Sequence, residues 1–390
     1  MLSFLSRARK TLGRSAAVLV ALAVAACQPV ASGRGPAIDT SAPVPVALLV
    51  PAGSGQSSDE LLARSLENAA RLAISDLGNV QIDLRVYPTA GQPGQAQSMA
   101  VKAIDEGAKI ILGPVFAQEA NAAGVAAASR GVNVLAFSNN PDIAGGNVFI
   151  LGPTFQNTAT RLASYAVRQG KSRIMIVHDQ NPAGMAGRAA IEQGVSRSGG
   201  SVVAVGSYEF SQNGVVQAAP QIAAAARSNN AQALFLTADT AGALPLISQM
   251  LADNGMGPAA TQFIGLTRWD IPAATMALPG VQGGWFALPD PNLYLQYQSR
   301  YQAAFGEAPH PISGLAYDGI AAIGALVKQG NSGAVTGAAL TTGAGFVGVN
   351  GIFRLRPDGQ NERGLAVAQI ENNQLVVIDP APRSFGGAGF

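Results

Sequence analysis

From Val44 onward, short apolar runs alternate with longer amphipathic or alanine-rich runs. Some of the short runs, such as residues 174–177 (IMIV) and 233–236 (ALFL), contain no polar residue. Runs of this kind are typical of parallel strands that are buried on both faces. Helices must then cover both faces of the sheet, because crossovers between parallel strands usually contain a helix. The alternation predicts an α/β fold made of doubly wound parallel sheets.

The alternation occurs twice, which predicts two similar lobes although no sequence repeat is evident. In the first half, we predict strands at 45–50, 81–86, 109–112, 133–136 and 147–151, with helices near 60–76, 94–106 and 118–129. In the second half, we predict strands at 173–177, 201–207, 233–237, 262–266 and 283–288, with helices at 156–169, 184–198, 215–228 and 242–253. Two further helices (294–305, 313–328) precede strands at 351–356, 365–371 and 374–378. Turn residues at Asp358-Gly359 and Asn372-Asn373 predict that these last strands form an antiparallel meander.

The length of the chain also favours two lobes joined by a hinge, because about 350 ordered residues exceed what one hydrophobic core usually serves. We predict that lobe 1 contains residues 44–152 and 290–345, and that lobe 2 contains residues 153–289 and 346–380. Residues 27–43 are small, polar and proline-containing, which predicts a flexible tether. Residues 381–390 are predicted to be a glycine-rich tail.

The N-terminus has the layout of an export signal, with four basic residues and no acid before an apolar run at 15–26. The run is shorter than the roughly 20 residues that a membrane-spanning helix needs. Val24-Ala25-Ala26-Cys27 resembles the lipobox of bacterial lipoproteins, and Cys27 is the only cysteine. We therefore predict a signal peptide at 1–26 and a lipid anchor on Cys27 that holds the protein on the periplasmic side of a membrane. By the same resemblance, Gln28 implies sorting to the outer membrane.

Composition and motifs exclude several classes of function. Four of the 25 basic residues lie in the predicted signal, so 21 remain against 23 acids, and no basic run follows residue 26. No nucleic-acid partner is predicted. The chain has two histidines, His178 and His310, and lacks HExxH, CxxC, GxSxG and SxxK motifs. A GxGxxG match at 343–348 leads into a strand instead of a helix. We predict no enzyme, no metal and no cofactor.

Six stretches, in order along the chain, carry a resemblance to a known family. They are 46–55 (VALLVPAGSG), 110–115 (IILGPV), 132–139 (VNVLAFSN), 173–179 (RIMIVHD), 305–306 (FG) and 316–319 (AYDG). Their order and spacing are more specific than any one of them. Over 44–378 the chain resembles the type I periplasmic binding proteins of the leucine/isoleucine/valine-binding branch, which include lipoproteins. This resemblance implies two hinged lobes, a small-molecule ligand between them and an ABC permease as partner.

Ligands of open parallel sheets bind beyond the carboxyl ends of the strands, near helix N-termini. The resemblance therefore implies a ligand site in the loops that follow the strands. Its predicted residues are Ser54, Phe116, Ala117, Ser138 and Asn139 in lobe 1, and Asp179, Gln180, Asp239, Arg268 and Trp269 in lobe 2, with Tyr317 near the cleft mouth or hinge. Ala117, Ser138 and Asn139 would hold a carboxylate, and Phe116 and Trp269 would form walls. Helix capping is the alternative role for Ser138 and Asn139.

One position departs from the family pattern. Amino-acid-binding members carry an acid shortly after the third strand of lobe 2, which meets the ligand ammonium, and the matching residue here is Gly242. Asp239 lies three residues earlier. Two functions remain open: capture of a small polar, amino-acid-like solute for ABC transport, or regulation of a peptidoglycan synthase, as in penicillin-binding-protein activator lipoproteins. Outer-membrane sorting through Gln28 favours the regulator, because an ABC permease lies in the inner membrane.

Overall fold

The computed structural model describes residues 35–257 and 260–386. The predicted signal peptide, Cys27 and Gln28 lie outside these residues. In the two described ranges, we find no helix that is both long and apolar enough to span a bilayer.

The first lobe is a five-stranded parallel sheet with helices on both faces. Its elements are β1 (Val44–Val50), α1 (Ser57–Asp76), β2 (Ile82–Pro88), α2 (Pro93–Asp105), β3 (Ile110–Leu112), α3 (Ala117–Ala128), β4 (Asn133–Ala136) and β5 (Val148–Ile150). Along β1, Val46 and Leu48 belong to the hydrophobic core on one face, and Ala47 and Leu49 to the core on the other. Burial on both faces explains the lack of polar residues in this strand.

The second lobe begins with α4 (Phe155–Arg168) and continues the alternation. Its next elements are β6 (Arg173–Asp179), α5 (Pro182–Arg197), β7 (Ser201–Tyr208), α6 (Gln212–Ser228), β8 (Ala233–Leu236), α7 (Leu244–Leu251), β9 (Gln262–Gly265) and β10 (Trp285–Leu288). A capping box formed by Thr154 and Asn157 fixes the start of α4. As in β1, alternate residues of β6 lie in different cores, with Ile174 in one and Met175 in the other.

The chain then returns to lobe 1 and finally to lobe 2. The remaining elements are α8 (Pro291–Phe305), α9 (Gly314–Val327), α10 (Gly337–Leu340), β11 (Phe346–Gly348), β12 (Gly351–Leu355), β13 (Asn361–Arg363), β14 (Ala366–Glu371) and β15 (Gln374–Asp379). Residues of α8 and α9 pack in the same core as β1 and α1. The last two strands are antiparallel additions to the second sheet, beside β10.

The two lobes share one strand order. It is β2-β1-β3-β4-β5 in lobe 1 and β7-β6-β8-β9-β10 in lobe 2, and the strands within each of these sets are parallel. In both, the first strand lies between the second and the third, so the strand order reverses there. Ligands of such sheets bind outside the carboxyl ends of the strands at this point. The predicted fold class is confirmed, and the duplication that the sequence only hints at is present in the topology.

The predicted C-terminal meander is confirmed at its second turn, where Asn372-Asn373 joins the antiparallel strands β14 and β15, and is wrong in its first pairing. β12 pairs with β11 and β13 in a separate three-stranded sheet, and β14 pairs with β10 and β15 in the large sheet of lobe 2. The Asp358-Gly359 turn joins β12 to the short strand β13 instead of joining it to β14. Turn residues predict a hairpin locally but do not determine which sheet the following strand enters.

Parts of the predicted tether and tail pack against the folded body. Ile38 is 5% exposed in the lobe 1 core, and its N–H donates to the carbonyl oxygen of Ser332 at 2.9 Å. Near the other end, the Phe385 ring lies 4.5 Å from the Arg354 guanidinium carbon. The apolar side chains of Ile38 and Phe385 explain why these segments are held. Ile38 is therefore held against lobe 1, and the tether stays a prediction for the rest of residues 27–43.

The hinge is where the chain crosses between the sheets, at residues 151–154, 289–290 and 364–365. Phe346 and Phe353 pack in the lobe 1 core, although the sequence assigned them to lobe 2. The exact residue limits of the two lobes stay a prediction. Arg363, beside the third crossing, is tied to the first crossing and to α9, because its Nε donates to the Leu151 carbonyl oxygen at 3.0 Å and its Nη1 pairs with Asp318 at 3.2 Å.

Candidate functional site

In lobe 1, three of the predicted site residues lie in the loops after β1 and β3. The Ser54 hydroxyl accepts from Gln56 N at 3.1 Å, and Gly53 N donates to Glu60 Oε1 at 2.6 Å, so the loop after β1 is held by its own residues and by α1. Phe116 is 41% exposed directly before α3. Ala117 is the first residue of that helix, where backbone N–H groups lack intrahelical partners.

Ser138 and Asn139 follow β4. Ser138 is 5% exposed, and its hydroxyl oxygen accepts from Asn140 N at 3.1 Å. The side chain therefore stabilises its own turn, which is the capping alternative, and its hydroxyl hydrogen is left to donate elsewhere. Asn139 is exposed. A ligand role for both residues stays a prediction.

In lobe 2, Asp179 lies at the end of β6 and is 6% exposed. Its Oδ1 has no hydrogen-bond partner within residues 35–257 and 260–386. Burial raises the pKa of Asp179, and the nearby like charge of Asp239 raises it further. The backbone N–H groups of Asn181 and Gly184 act in the opposite direction, but burial of Oδ1 stays costly unless a further donor or a cation reaches it.

Two other predicted residues of lobe 2 lie near Asp179, namely Gln180, which follows β6, and Asp239, which follows the neighbouring strand β8. Asp239 is exposed after β8 and accepts from Gly242 N at 2.5 Å through Oδ1. Gln180 is exposed and donates to the Ser207 hydroxyl at 3.1 Å. A Cβ placed on Gly242 would lie 2.8 Å from Asp239 Oδ1. The Asp239 carboxylate therefore occupies the space in which a side chain at position 242 would begin.

Tyr208 was not predicted from the sequence but belongs to this group. It ends β7 and is 2% exposed, and its hydroxyl has no hydrogen-bond partner in the described chain. Burial raises its pKa above the ordinary tyrosine value, and the charges of Asp179 and Asp239 add to this. Tyr208, Asp179 and Asp239 thus form one polar cluster, which we call the lobe 2 acid cluster, at the carboxyl ends of adjacent strands.

Arg268 lies beside a cavity at the inner end of the cleft. The cavity has a volume of about 270 Å³ and is formed by both lobes, with Thr154 and Thr158 at the start of α4 and Ile312 and Leu315 at the start of α9. The guanidinium of Arg268 pairs with Asp270, donating from Nε to Oδ1 at 2.7 Å. This pair partly neutralises Arg268 and holds it at the cavity edge.

Two predicted residues do not lie where the sequence placed them. Trp269 is fully buried in the lobe 2 core, so it does not form a cleft wall. Its ring fills a slot left by two glycines, since a Cβ on Gly265 or on Gly284 would lie 2.3 Å from the ring. The Tyr317 hydroxyl donates to Asp76 Oδ2 at 2.5 Å, at the end of α1 that is remote from the loop after β1.

Lobe 1 contains a buried acid that the sequence analysis missed. Glu119, in the first turn of α3, is fully buried, and the Thr89 hydroxyl and the Phe116 backbone N–H are the donors nearest its carboxyl group. Burial raises its pKa. Its burial could be predicted from the sequence, because Glu119 lies on the same face of the helix as Ala123 and Ala127, at i+4 spacing.

The two halves of the site are not joined in this structure. Within the described ranges, no hydrogen bond or ion pair connects the loops after β1, β3 and β4 with those after β6 and β8. The same ranges contain no group of three or more His, Cys, Asp or Glu residues placed to hold a metal ion.

Comparisons with known proteins agree with this architecture. A family model for periplasmic binding proteins matches residues 43–374. A branched-chain amino acid ABC transporter protein of Rhodospirillum rubrum is similar in structure, with a TM-score of 0.72 at 18% identity over 86% of this chain and 100% of that one.

Two further structures were solved with ligands. An ABC transporter substrate-binding protein of Desulfitobacterium hafniense, in complex with Leu, has a TM-score of 0.63 at 17% identity over 86% of this chain and 100% of that one. A solute-binding protein of Rhodopseudomonas palustris, in complex with 3,4-dihydroxybenzoic acid, has a TM-score of 0.57 at 18% identity over 87% and 96%. At these identities the likeness establishes the fold.

The family model covers most of the chain, which establishes the family to which the chain belongs. Members of this family bind solutes in the periplasm and are not enzymes, which confirms the prediction that this chain is not an enzyme. The chain belongs to the periplasmic binding protein family, in its type I, leucine-binding-like class.

Proposed function

We propose that this protein captures a small, amino-acid-like solute between its lobes and delivers it to an ABC permease. The observation that carries the proposal is the lobe 2 acid cluster. Asp179 Oδ1 and the Tyr208 hydroxyl are buried without partners, beside the exposed carboxylate of Asp239. An ammonium group supplies three N–H donors and a positive charge, which are what this cluster lacks.

The geometry around Gly242 supports the same ligand chemistry. The family's ammonium-binding acid is missing at position 242, but the Asp239 carboxylate reaches the place where that side chain would start. Asp239 therefore replaces the missing acid in our proposal. On the lobe 1 side, the free N–H groups of the first turn of α3 and the Ser138 hydroxyl would hold the ligand carboxylate. A ligand held at both ends would favour the closed arrangement of the lobes.

A thermal-shift screen tests the ligand class. We expect at least one of the twenty amino acids to raise the melting temperature, since a ligand at 100 times its Kd stabilises a protein by about 2.7 kcal/mol. The sharp control is the matching 2-hydroxy acid, which keeps the carboxylate and side chain but lacks the ammonium. Equal stabilisation by the hydroxy acid, or by benzoate alone, would contradict the role of the acid cluster.

We also propose that lipid on Cys27 anchors the protein at the periplasmic side of a membrane, and that Gln28 favours the outer membrane. The support is the sequence Val24-Ala25-Ala26-Cys27-Gln28, which follows a basic and an apolar segment. Cys27→Ala should move the protein from the membrane fraction to the soluble fraction. Gln28→Asp should keep it in the inner membrane. A Gln28→Asp protein that still fractionates with the outer membrane would contradict the sorting proposal.

Regulation of a peptidoglycan synthase is the second candidate, and Gln28 is the observation that favours it. A protein anchored at the outer membrane is separated from an inner-membrane permease. The two functions make opposite predictions in the same screen. Stabilisation by an amino acid supports transport, whereas co-purification of a cell-wall synthase without any amino-acid stabilisation would support the regulator and exclude transport.

A further inference from the structure

A second cavity lies between the β12–β13 hairpin and the helices α4 and α5, and has a volume of about 370 Å³. Asn157, Thr160 and Arg161 of α4 line it, whereas Phe155 and Thr158 of the same helix line the cleft cavity. The two cavities therefore lie on different sides of α4. Because the hairpin is joined to β11, which contacts α9 of lobe 1, this second cavity also lies between the lobes.

The lining of this cavity carries an excess of positive charge. Five arginines and two acids contribute to it. Glu362 pairs with both Arg354 and Arg356, and Arg363 pairs with Asp318 behind the cavity. Arg197, an exposed residue at the end of α5, forms no ion pair within residues 35–257 and 260–386. Its guanidinium is therefore available to a ligand.

Two buried polar atoms in the same lining lack partners. The Arg161 side chain is 4% exposed; its Nε donates to the Leu365 carbonyl oxygen at 2.6 Å and its Nη2 pairs with Asp379 at 2.9 Å, but its Nη1 has no acceptor in the described chain. Asn361 is also 4% exposed. Its Nδ2 donates to the carbonyl oxygens of Ile150 and Gly152 at 2.8 and 2.9 Å, while its Oδ1 has no donor there.

An unpaired donor and an unpaired acceptor in one cavity are uncommon, because nearly all buried polar groups in proteins are hydrogen-bonded. Together they fit a ligand that offers both an acceptor with negative charge and a hydroxyl donor. We propose that the cavity binds a small oxyanion that carries a hydroxyl group, either a hydroxycarboxylate or a phosphate. The anion accepts from Arg161 and Arg197, and its hydroxyl donates to Asn361 Oδ1. It thereby bridges α4 and α5 of lobe 2 to the hairpin.

Isothermal titration of the purified full chain with L-malate and with inorganic phosphate, at constant ionic strength, tests the site and separates the two ligand classes. We expect saturable 1:1 binding of at least one of them. Arg197→Gln on α5 and Asn361→Ala on the hairpin should each weaken it about tenfold, the change expected when a hydrogen bond to the anion is lost. Arg188→Gln, on the same helix as Arg197 but paired with Glu192, is the matched control and should bind as the wild type does.

Several outcomes would overturn the proposal. One is no saturable binding of either anion. Another is binding that survives in both variants, which would mean that the contact is nonspecific. Loss in only one of the two variants would exclude a bridge between helix and hairpin. A crystal structure in 10 mM malate and phosphate that shows only water between Arg161 Nη1 and Asn361 Oδ1 would also overturn it. None of these results depends on the ligand of the cleft.

Discussion

At the scale of single residues, burial of the Asp179 carboxyl group costs folding free energy when no ligand is bound. Its pKa is raised in the folded state from 3.8, mainly by burial, so the folded protein holds the proton more tightly than the unfolded chain does. The corresponding stability is present below pH 3.8 and is lost as pH rises through the folded-state pKa. An acid kept at this cost is typical of a binding site.

We therefore expect Asp179→Asn to raise the free energy of unfolding at pH 7 by about 1 kcal/mol, since the amide keeps an acceptor but cannot ionise. The same variant should lose ligand binding. Urea denaturation at pH 7, with the exposed Asp142→Asn as control, measures the first effect. A destabilised Asp179→Asn protein would mean that the carboxylate has a structural role.

Glu119 permits a second pH experiment. Its pKa is raised by burial from 4.5, so its contribution to stability also falls as pH increases above 4.5. Glu119→Gln removes this dependence, and its stability relative to the wild type should rise between pH 4.5 and pH 8. Denaturation midpoints at both pH values, with the exposed Glu209→Gln as control, give the comparison. A relative stability that is flat or falls with pH would contradict the assignment.

The residues that lie at the carboxyl ends of strands, as the sequence predicts, differ in one respect from those that it misplaced or missed. Ser138, Asp179 and Asp239 follow apolar strands, and the strand pattern alone places them at the carboxyl ends. Trp269 occupies an equivalent position, but the slot left by Gly265 and Gly284 comes from two separate strands and cannot be read from local sequence. Glu119 could have been found in the sequence by extending the i+4 spacing of Ala123 and Ala127 back into the first turn of α3.

At the scale of elements, one buried ion pair lies beside the hinge. Arg363 and Asp318 are 2% and 0% exposed, and Asp318 also accepts from Val349 N at 2.8 Å and from Asn350 Nδ2 at 3.1 Å. Removing one partner of a buried pair costs about 3–5 kcal/mol, because the other charge stays buried. The pair thus joins α9 to the segment that leads into β14.

We expect Asp318→Asn to lower the free energy of unfolding by about 3 kcal/mol, as measured by urea denaturation. Asp358→Asn, which removes an exposed ion pair with Arg356, should cost less than about 1 kcal/mol. The double variant Asp318→Leu/Arg363→Met should recover part of the loss, because no unpaired charge remains. If Asp318→Asn were as mild as the surface control, the hinge would depend on its backbone contacts alone.

The limits of a strand were predictable from the sequence where both faces of the strand are buried. β4 has the predicted limits of 133–136, and β1 and β6 start within a residue of the predicted positions. The C-terminal strands were predicted at nearly the right places, but β12 was predicted to pair with β14 and instead lies in a separate sheet. Pairing of β12 with β11 and β13 depends on contacts with lobe 1 that are distant in sequence, and turn residues carry no information about them.

At the scale of the whole molecule, the two lobes have one topology without an evident sequence repeat. The shared strand order brings the loops after β1 and β3, and those after β6 and β8, to corresponding edges of the two sheets. What is repeated is the pattern of buried strands and covering helices, which many sequences satisfy. The chemistry of each lobe is therefore free to differ, with free N–H groups at α3 in one and the acid cluster in the other.

The claim that a solute is held by both lobes is tested most directly by calorimetric titration of the amino acid that gives the largest thermal shift. We predict that Ser138→Ala in lobe 1 and Asp179→Asn in lobe 2 each weaken binding at least about tenfold, which corresponds to about 1.4 kcal/mol. Wild-type affinity in either variant, with both proteins folded, would contradict capture between the two lobes.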